Sequence, residues 1–170
     1  MAPNDPEASC NDNSHSLGRV LLVDDEPDLR RLLRRSLVRA GFDVVEAGHG
    51  RAALELARES RFDVVITDVR MPSMGGLELL ERLMLEEPEL PVVLMSGSDE
   101  LDSRQSAVDV GAFDYLPKPI ELLHIQAVAL EAVARRRELH PVGRDPARRD
   151  SHEALRGAAP VAVSGGWKWR

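Results

Sequence analysis

The stretch Arg19-Val20-Leu21-Leu22-Val23-Asp24-Asp25 sets four aliphatic residues in a row and two carboxylates directly behind them. A short, almost continuously apolar run reads as a strand covered on both faces. Val64-Val65-Ile66-Thr67 followed by Asp68 repeats the pattern. Phe113-Asp114-Tyr115-Leu116-Pro117 followed by Lys118 gives it a third time, with a cation in place of the carboxylate. If these runs are neighbouring parallel strands, the three carboxylates and the ammonium meet at one edge of one sheet.

Working outward, the alternation of short apolar runs with stretches of helical period extends from Gly18 to about Leu139. Strands are expected at Arg19 to Val23, Asp43 to Ala47, Asp63 to Thr67, Pro91 to Met95 and Phe113 to Leu116. Helices are expected at Asp28 to Ala40, Arg51 to Ser60, Gly76 to Glu87, Ser98 to Val110 and Ile120 to Leu139, with Gly41, Gly75-Gly76 and Gly111 at their ends. Five strands alternating with five helices specify an α/β fold: a five-stranded parallel sheet, flavodoxin-like order 2-1-3-4-5, helices on both faces. Its crevice lies at the carboxyl ends of strands 1 and 3, the strands that carry the aspartates.

The bulk composition narrows the function classes. At 170 residues and 43% hydrophobic, the chain holds one core, and no apolar run approaches the ~20 residues of a membrane span. The start has no signal-peptide pattern, so the cytoplasm is expected. Residues 1–17 read as a disordered leader, 18–138 as the folded domain and 139–170 as a disordered basic tail ending in Trp167 and Trp169. The single cysteine, Cys10, excludes an intramolecular disulfide. Residues 1–134 hold 13 Lys and Arg against 25 Asp and Glu, whereas 135–170 hold 9 against 4. An acidic body does not attract nucleic acid. Of 22 basic residues only Lys118 and Lys168 are lysines, which makes a lysine at 118 stand out.

Three carboxylates held together repel one another unless a cation neutralises them. Mg²⁺ suits such a cluster, because it takes one or two carboxylates, keeps several waters and accepts a phosphate oxygen. A carboxylate can also attack phosphorus and form an acyl phosphate. Asp68, ending the central strand before Val69-Arg70-Met71-Pro72, is the candidate nucleophile, and Asp24 and Asp25 are the candidate metal ligands. Lys118 can reach across strand 4 as a point charge for a phosphoryl oxygen, and Ser96, after Val92-Val93-Leu94-Met95, offers a hydroxyl to another.

These motifs together resemble the receiver domain of bacterial two-component response regulators. The resemblance rests on Val23-Asp24-Asp25-Glu26-Pro27, Thr67-Asp68-Val69-Arg70-Met71-Pro72 with Gly75-Gly76, Met95-Ser96-Gly97, and Gly111-Ala112-Phe113-Asp114-Tyr115-Leu116-Pro117-Lys118-Pro119, over about residues 18 to 138. It implies that Asp68 accepts a phosphoryl group from the phosphohistidine of a sensor histidine kinase or a histidine phosphotransfer protein. Asp24, Asp25, Asp68 and the backbone carbonyl of Arg70 would hold Mg²⁺. Lys118 and Ser96 would bind the phosphoryl oxygens, and Ser96 and Tyr115 would act as switch residues. The resulting change in the surface of helix 4, strand 5 and helix 5 would address a downstream protein or a phosphorelay, and the resemblance allows a phosphorylation-dependent homodimer. The implied role is signalling, with no catalysis beyond the protein's own phosphorylation and dephosphorylation.

Blander readings stand beside these. Asp24-Asp25 can be an N-cap pair, Asp68 a turn residue, Ser96 a cap and Tyr115 a packing aromatic. His49 and His124 read as surface or packing residues. Arg30-Arg31, Arg34-Arg35 and Arg39 read first as a solvated helix face paired with acidic neighbours, and second as a contact for a kinase histidine domain. A Mg²⁺-dependent phosphohydrolase of haloacid-dehalogenase type expects a second Asp two residues after its nucleophile, and Glu26 and Pro27 stand at those positions instead. A DNA-binding regulator cut from a longer protein is the other alternative. Only 31 residues follow the last helix, so a receiver without an attached output domain is expected.

Overall fold

The computed structural model describes residues 16–97, 108–109 and 111–139. Cys10, Trp167, Trp169, most of the expected leader and tail, and all but residues 108–109 of the expected helix at Ser98 to Val110 lie outside the described residues. Ser16 and Leu17, expected in the leader, are tied to the sheet. The Asp43 N–H donates to Ser16 Oγ at 3.2 Å and the Leu17 N–H to the Gly41 carbonyl at 2.9 Å.

In chain order the elements are β1 (Arg19–Val23), α1 (Pro27–Arg39), β2 (Asp43–Ala47), α2 (Gly50–Glu59), β3 (Val64–Asp68), α3 (Gly76–Glu86), β4 (Val92–Ser96), β5 (Asp114–Pro117) and α4 (Leu122–Leu139). The strands form one parallel sheet in the order β2-β1-β3-β4-β5. That is the flavodoxin-like order expected from the sequence. β3, β4 and β5 each begin and end one residue later than expected from the sequence. Asp68 and Ser96 are therefore the last residues of their strands, held by the ladder rather than by a loop.

Alternation along the strands divides the core. Leu21, Val23, Val65 and Leu94 pack with Ala53 and Leu54 of α2 and Leu79, Leu80 and Leu83 of α3. Val20, Leu22, Ile66, Val93 and Leu116 pack with Leu33 and Leu37 of α1 and Ile125, Val128 and Ala132 of α4. Each fully buried Leu or Ile contributes ~1.5–3 kcal/mol of transfer free energy. This accounts for the unbroken apolar stretches at residues 20–23, 64–66 and 92–95 within the central strands. A polar clamp also joins α4 to α1: Gln126 Nε2 donates to Ser36 Oγ at 2.8 Å and to the Ser36 carbonyl at 3.1 Å.

Two glycines govern chain direction near the site. Gly41 adopts φ +102° just past α1, where a side chain would be strained. A Cβ on Gly76 would lie 2.2 Å from the Asp68 carbonyl oxygen, so only glycine lets α3 begin this close to the end of β3. Among the described residues no helix is long and apolar enough to cross a membrane.

Candidate functional site

Parallel pairing sets Val23 beside Thr67 and Asp68 beside Met95, so the ends of β1, β3 and β4 lie together. Asp24 leaves β1 fully buried, and its N–H donates to the Ala47 carbonyl at 3.2 Å. Its Oδ1 accepts from the Glu26 N–H at 2.7 Å, turning the chain into α1. The N-cap residue of α1 is Glu26, with no side-chain cap bond, so capping of that helix does not account for Asp24 and Asp25. Asp25 is exposed, whereas Asp68 is buried.

Asp24, Asp25 and Asp68 each offer an oxygen within 4.8 Å of the others. Lys118, following β5, reaches back past β4: Nζ donates to Asp68 Oδ2 at 2.8 Å and lies 3.4 Å from Asp24 Oδ2. Its backbone N–H donates to the Ser96 carbonyl at 2.8 Å, which ties the two strand ends. The Lys118-Pro119 peptide bond is cis.

Burial pushes the Asp24 carboxyl above the ordinary aspartate range, outweighing the Glu26 N–H and the Lys118 charge. For Lys118 burial acts to lower the pKa, yet the hydrogen bond to Asp68 and the charges of Asp24 and Asp68 win and raise it. Three carboxylates against one ammonium leave an uncompensated double negative charge when all are ionised. All the donors are hard oxygens and one of them is open to solvent, which fits a divalent cation of the Mg²⁺ kind that keeps its own waters.

The remaining expected site residues lie around this cluster. Ser96 is fully buried, and its Oγ donates to the Gly97 carbonyl at 2.9 Å. Tyr115 is half-buried against the α2 and α3 face of the sheet, opposite Leu94 in register. Side chains alternate along a strand, so Ser96 and Tyr115 share that face, with Ser96 one pleat nearer the carboxyl edge. Arg70 is exposed beside the same edge, where a Cβ on Gly97 would lie 3.8 Å from its Nη2. His49 caps α2, its Nδ1 accepting from the Ala52 N–H at 3.1 Å, and His124 is exposed on α4.

The model of the response regulator receiver domain matches residues 20–129, most of the chain and every element bearing on this site. The chain belongs to the response regulator receiver family. This receiver is 35% identical over 153 residues to the probable transcriptional regulatory protein TcrX of Mycobacterium tuberculosis, a match covering 85% of this chain and 65% of TcrX. It is 38% identical over 121 residues to the DNA-binding transcriptional regulator NtrC of Escherichia coli, covering 71% of this chain and 26% of NtrC. The receiver therefore spans about two thirds of one relative's length and a quarter of the other's. Among solved structures, a response regulator receiver domain protein of Clostridium thermocellum superposes with a TM-score of 0.67 at 29% identity, covering 71% of this chain and 98% of that one. The receiver domain of AraT from Geobacillus stearothermophilus gives 0.64 at 32%, covering 72% and 98%.

Arginines of α1 pair with acidic neighbours as expected, Arg31 with Asp28 and both Arg30 and Arg34 with Glu46 of β2. What that reading lacks is that Arg30 also donates from Nη1 to the Asp24 carbonyl. The available signal was the i, i+4 spacing of Arg30 and Arg34 on the helix, beside a strand with Glu46 set between Val45 and Ala47.

Proposed function

We propose that Asp68 is the phosphoacceptor of this receiver and that Asp24, Asp25, Asp68 and the Arg70 carbonyl bind Mg²⁺ for the transfer. The observation carrying this reading is the meeting of three carboxylates within 4.8 Å, with Lys118 bonded to Asp68. An Asp68 oxygen attacks the phosphorus of a phosphohistidine in a histidine kinase or phosphotransfer protein. A P–O bond forms, the P–N bond breaks and its electron pair returns to the imidazole nitrogen. When bound, Mg²⁺ offsets charge on the transferring oxygens. Lys118, kept protonated by its carboxylate partners, pairs with one phosphoryl oxygen, and the Ser96 hydroxyl turns to another.

The new group adds about −1.5 to −2 charge to an edge already rich in carboxylates. Moving Ser96 vacates space on the face it shares with Tyr115, and the ring turns inward. The surface around β5 and α4 changes for a downstream protein, for a phosphorelay or for a second copy of the chain; of the helix expected at Ser98 to Val110 on that surface, all but residues 108–109 lie outside the described residues. The cytoplasm is the compartment that suits this exchange. TcrX and NtrC are named as transcriptional regulators. For this chain, protein contact is the proposed output, since residues 1–134 are acidic.

The test is labelling of the full chain by a small phosphoramidate donor with Mg²⁺. The expected label is cleaved by hydroxylamine, as an acyl phosphate is, and is lost with chelator and in Asp68→Ala. A label that survives Asp68→Ala would refute the assignment.

A further inference from the structure

We infer that Arg30 is a positioning residue that fixes the Asp24-Asp25 backbone for the divalent cation, an inference that rests on the metal-binding reading above. Asp25 is the exposed member of the cluster, and among the described residues no hydrogen bond of the β1 ladder reaches beyond the Asp24 N–H, which is held by Ala47. The direction in which Asp25 leaves the sheet depends on the peptide plane joining it to Asp24. That plane is held from its carbonyl side by Arg30 Nη1.

Arg30 is itself held. Its N–H donates to the Glu26 carbonyl at 3.0 Å within α1, and its Nε lies 3.5 Å from Glu46 Oε1. Glu46 pairs with Leu22 in register, one residue before the Val23 and Ala47 pair, so the anchor stands on the strand beside β1. The other Glu46 oxygen meets Arg34 Nε at 3.2 Å, one helical turn along. A planar guanidinium with donors at fixed angles suits a residue that bridges a carboxylate and a carbonyl, because both bonds constrain one rigid fork. Arg34 shares the anchor, yet no bond joins it to the site loop among the described residues. The pair thus separates two roles: both arginines fasten α1 to β2, and only Arg30 also carries the Asp24 carbonyl.

The experiment titrates Mg²⁺ into the unphosphorylated full chain and follows the amide resonances of Asp25 and Glu26, with thermal unfolding confirming that each variant is folded. Arg30→Met keeps the aliphatic stem and removes the fork. Its Mg²⁺ Kd is expected to rise about tenfold, the scale of losing a group that orients a metal ligand. Arg34→Met is expected to match wild type. Should Arg30→Met not fold, Arg30→Lys is read in the same way, since it keeps a cation for Glu46 but lacks the Nη1 donor. A wild-type Kd in the Arg30 variant, or equal weakening in Arg34→Met, overturns the inference alone. Absence of Mg²⁺-dependent shifts in wild type overturns the metal-binding reading and this inference with it.

Discussion

The Lys118 ammonium donates to Asp68 Oδ2 at 2.8 Å although a whole strand, β4, separates their strands in the sheet. Only a long unbranched side chain starting at a strand end spans that gap. It brings a cation to carboxylates that would otherwise repel one another. As the proposed phosphoacceptor, Asp68 would exchange this partner for phosphoryl oxygens, and Lys118 would follow the charge outward. Lys118→Ala is therefore expected to slow labelling by a small phosphodonor about 10²-fold at saturating Mg²⁺, the scale of losing one preorganised charge donor. Initial rates of the two proteins, measured side by side, check this.

Asp24 is fully buried in a cluster of like charge, and its carboxyl is raised by that burial. A group raised on folding favours the folded state below its unfolded pKa and loses that contribution as pH rises through its folded pKa. Asp24→Asn keeps an oxygen for the Glu26 N–H, so metal-free protein at neutral pH is expected to gain about 1 kcal/mol. The gain should vanish in acid, and Mg²⁺ binding should weaken. Urea unfolding in chelator at two pH values reads the effect.

Gly76 faces the Asp68 carbonyl with no room for a side chain. The clash in Gly76→Ala is with backbone, which cannot move aside as a flexible side chain does. A loss of about 1–3 kcal/mol is expected from chemical denaturation.

Ser96 and Tyr115 lie on one face of the sheet, one pleat apart along neighbouring strands. Ser96→Ala is expected to accept label at Asp68 while the Tyr115 ring resonances shift less on phosphorylation than in wild type. An equal shift would remove Ser96 from the coupling.

Much of this was legible because the chain writes its fold in short apolar runs. The runs before Asp24 and Asp68 marked two of the central strands, the run before Lys118 is the edge strand β5, and the order 2-1-3-4-5 brought their carboxyl ends to one side of the sheet. Strand limits were off by one because Asp68, Ser96 and Pro117 are polar or ring-locked, yet still pair at the sheet's edge. Arg30 was hidden for a different reason. Its partners are a carbonyl oxygen, which sequence does not display, and Glu46, sixteen positions away. The cap that His49 gives α2 was likewise masked, because imidazole is an uncommon N-cap acceptor.

The central claim is that Asp68 forms the acyl phosphate, and reductive trapping tests it most directly. The full chain is phosphorylated with a small phosphodonor and Mg²⁺, reduced with borohydride, digested and sequenced by mass spectrometry. Conversion of residue 68 to homoserine, absent when donor or Mg²⁺ is omitted, is the predicted result. Conversion at Asp24 or Asp25 instead, or no conversion in protein shown to be folded, would contradict it.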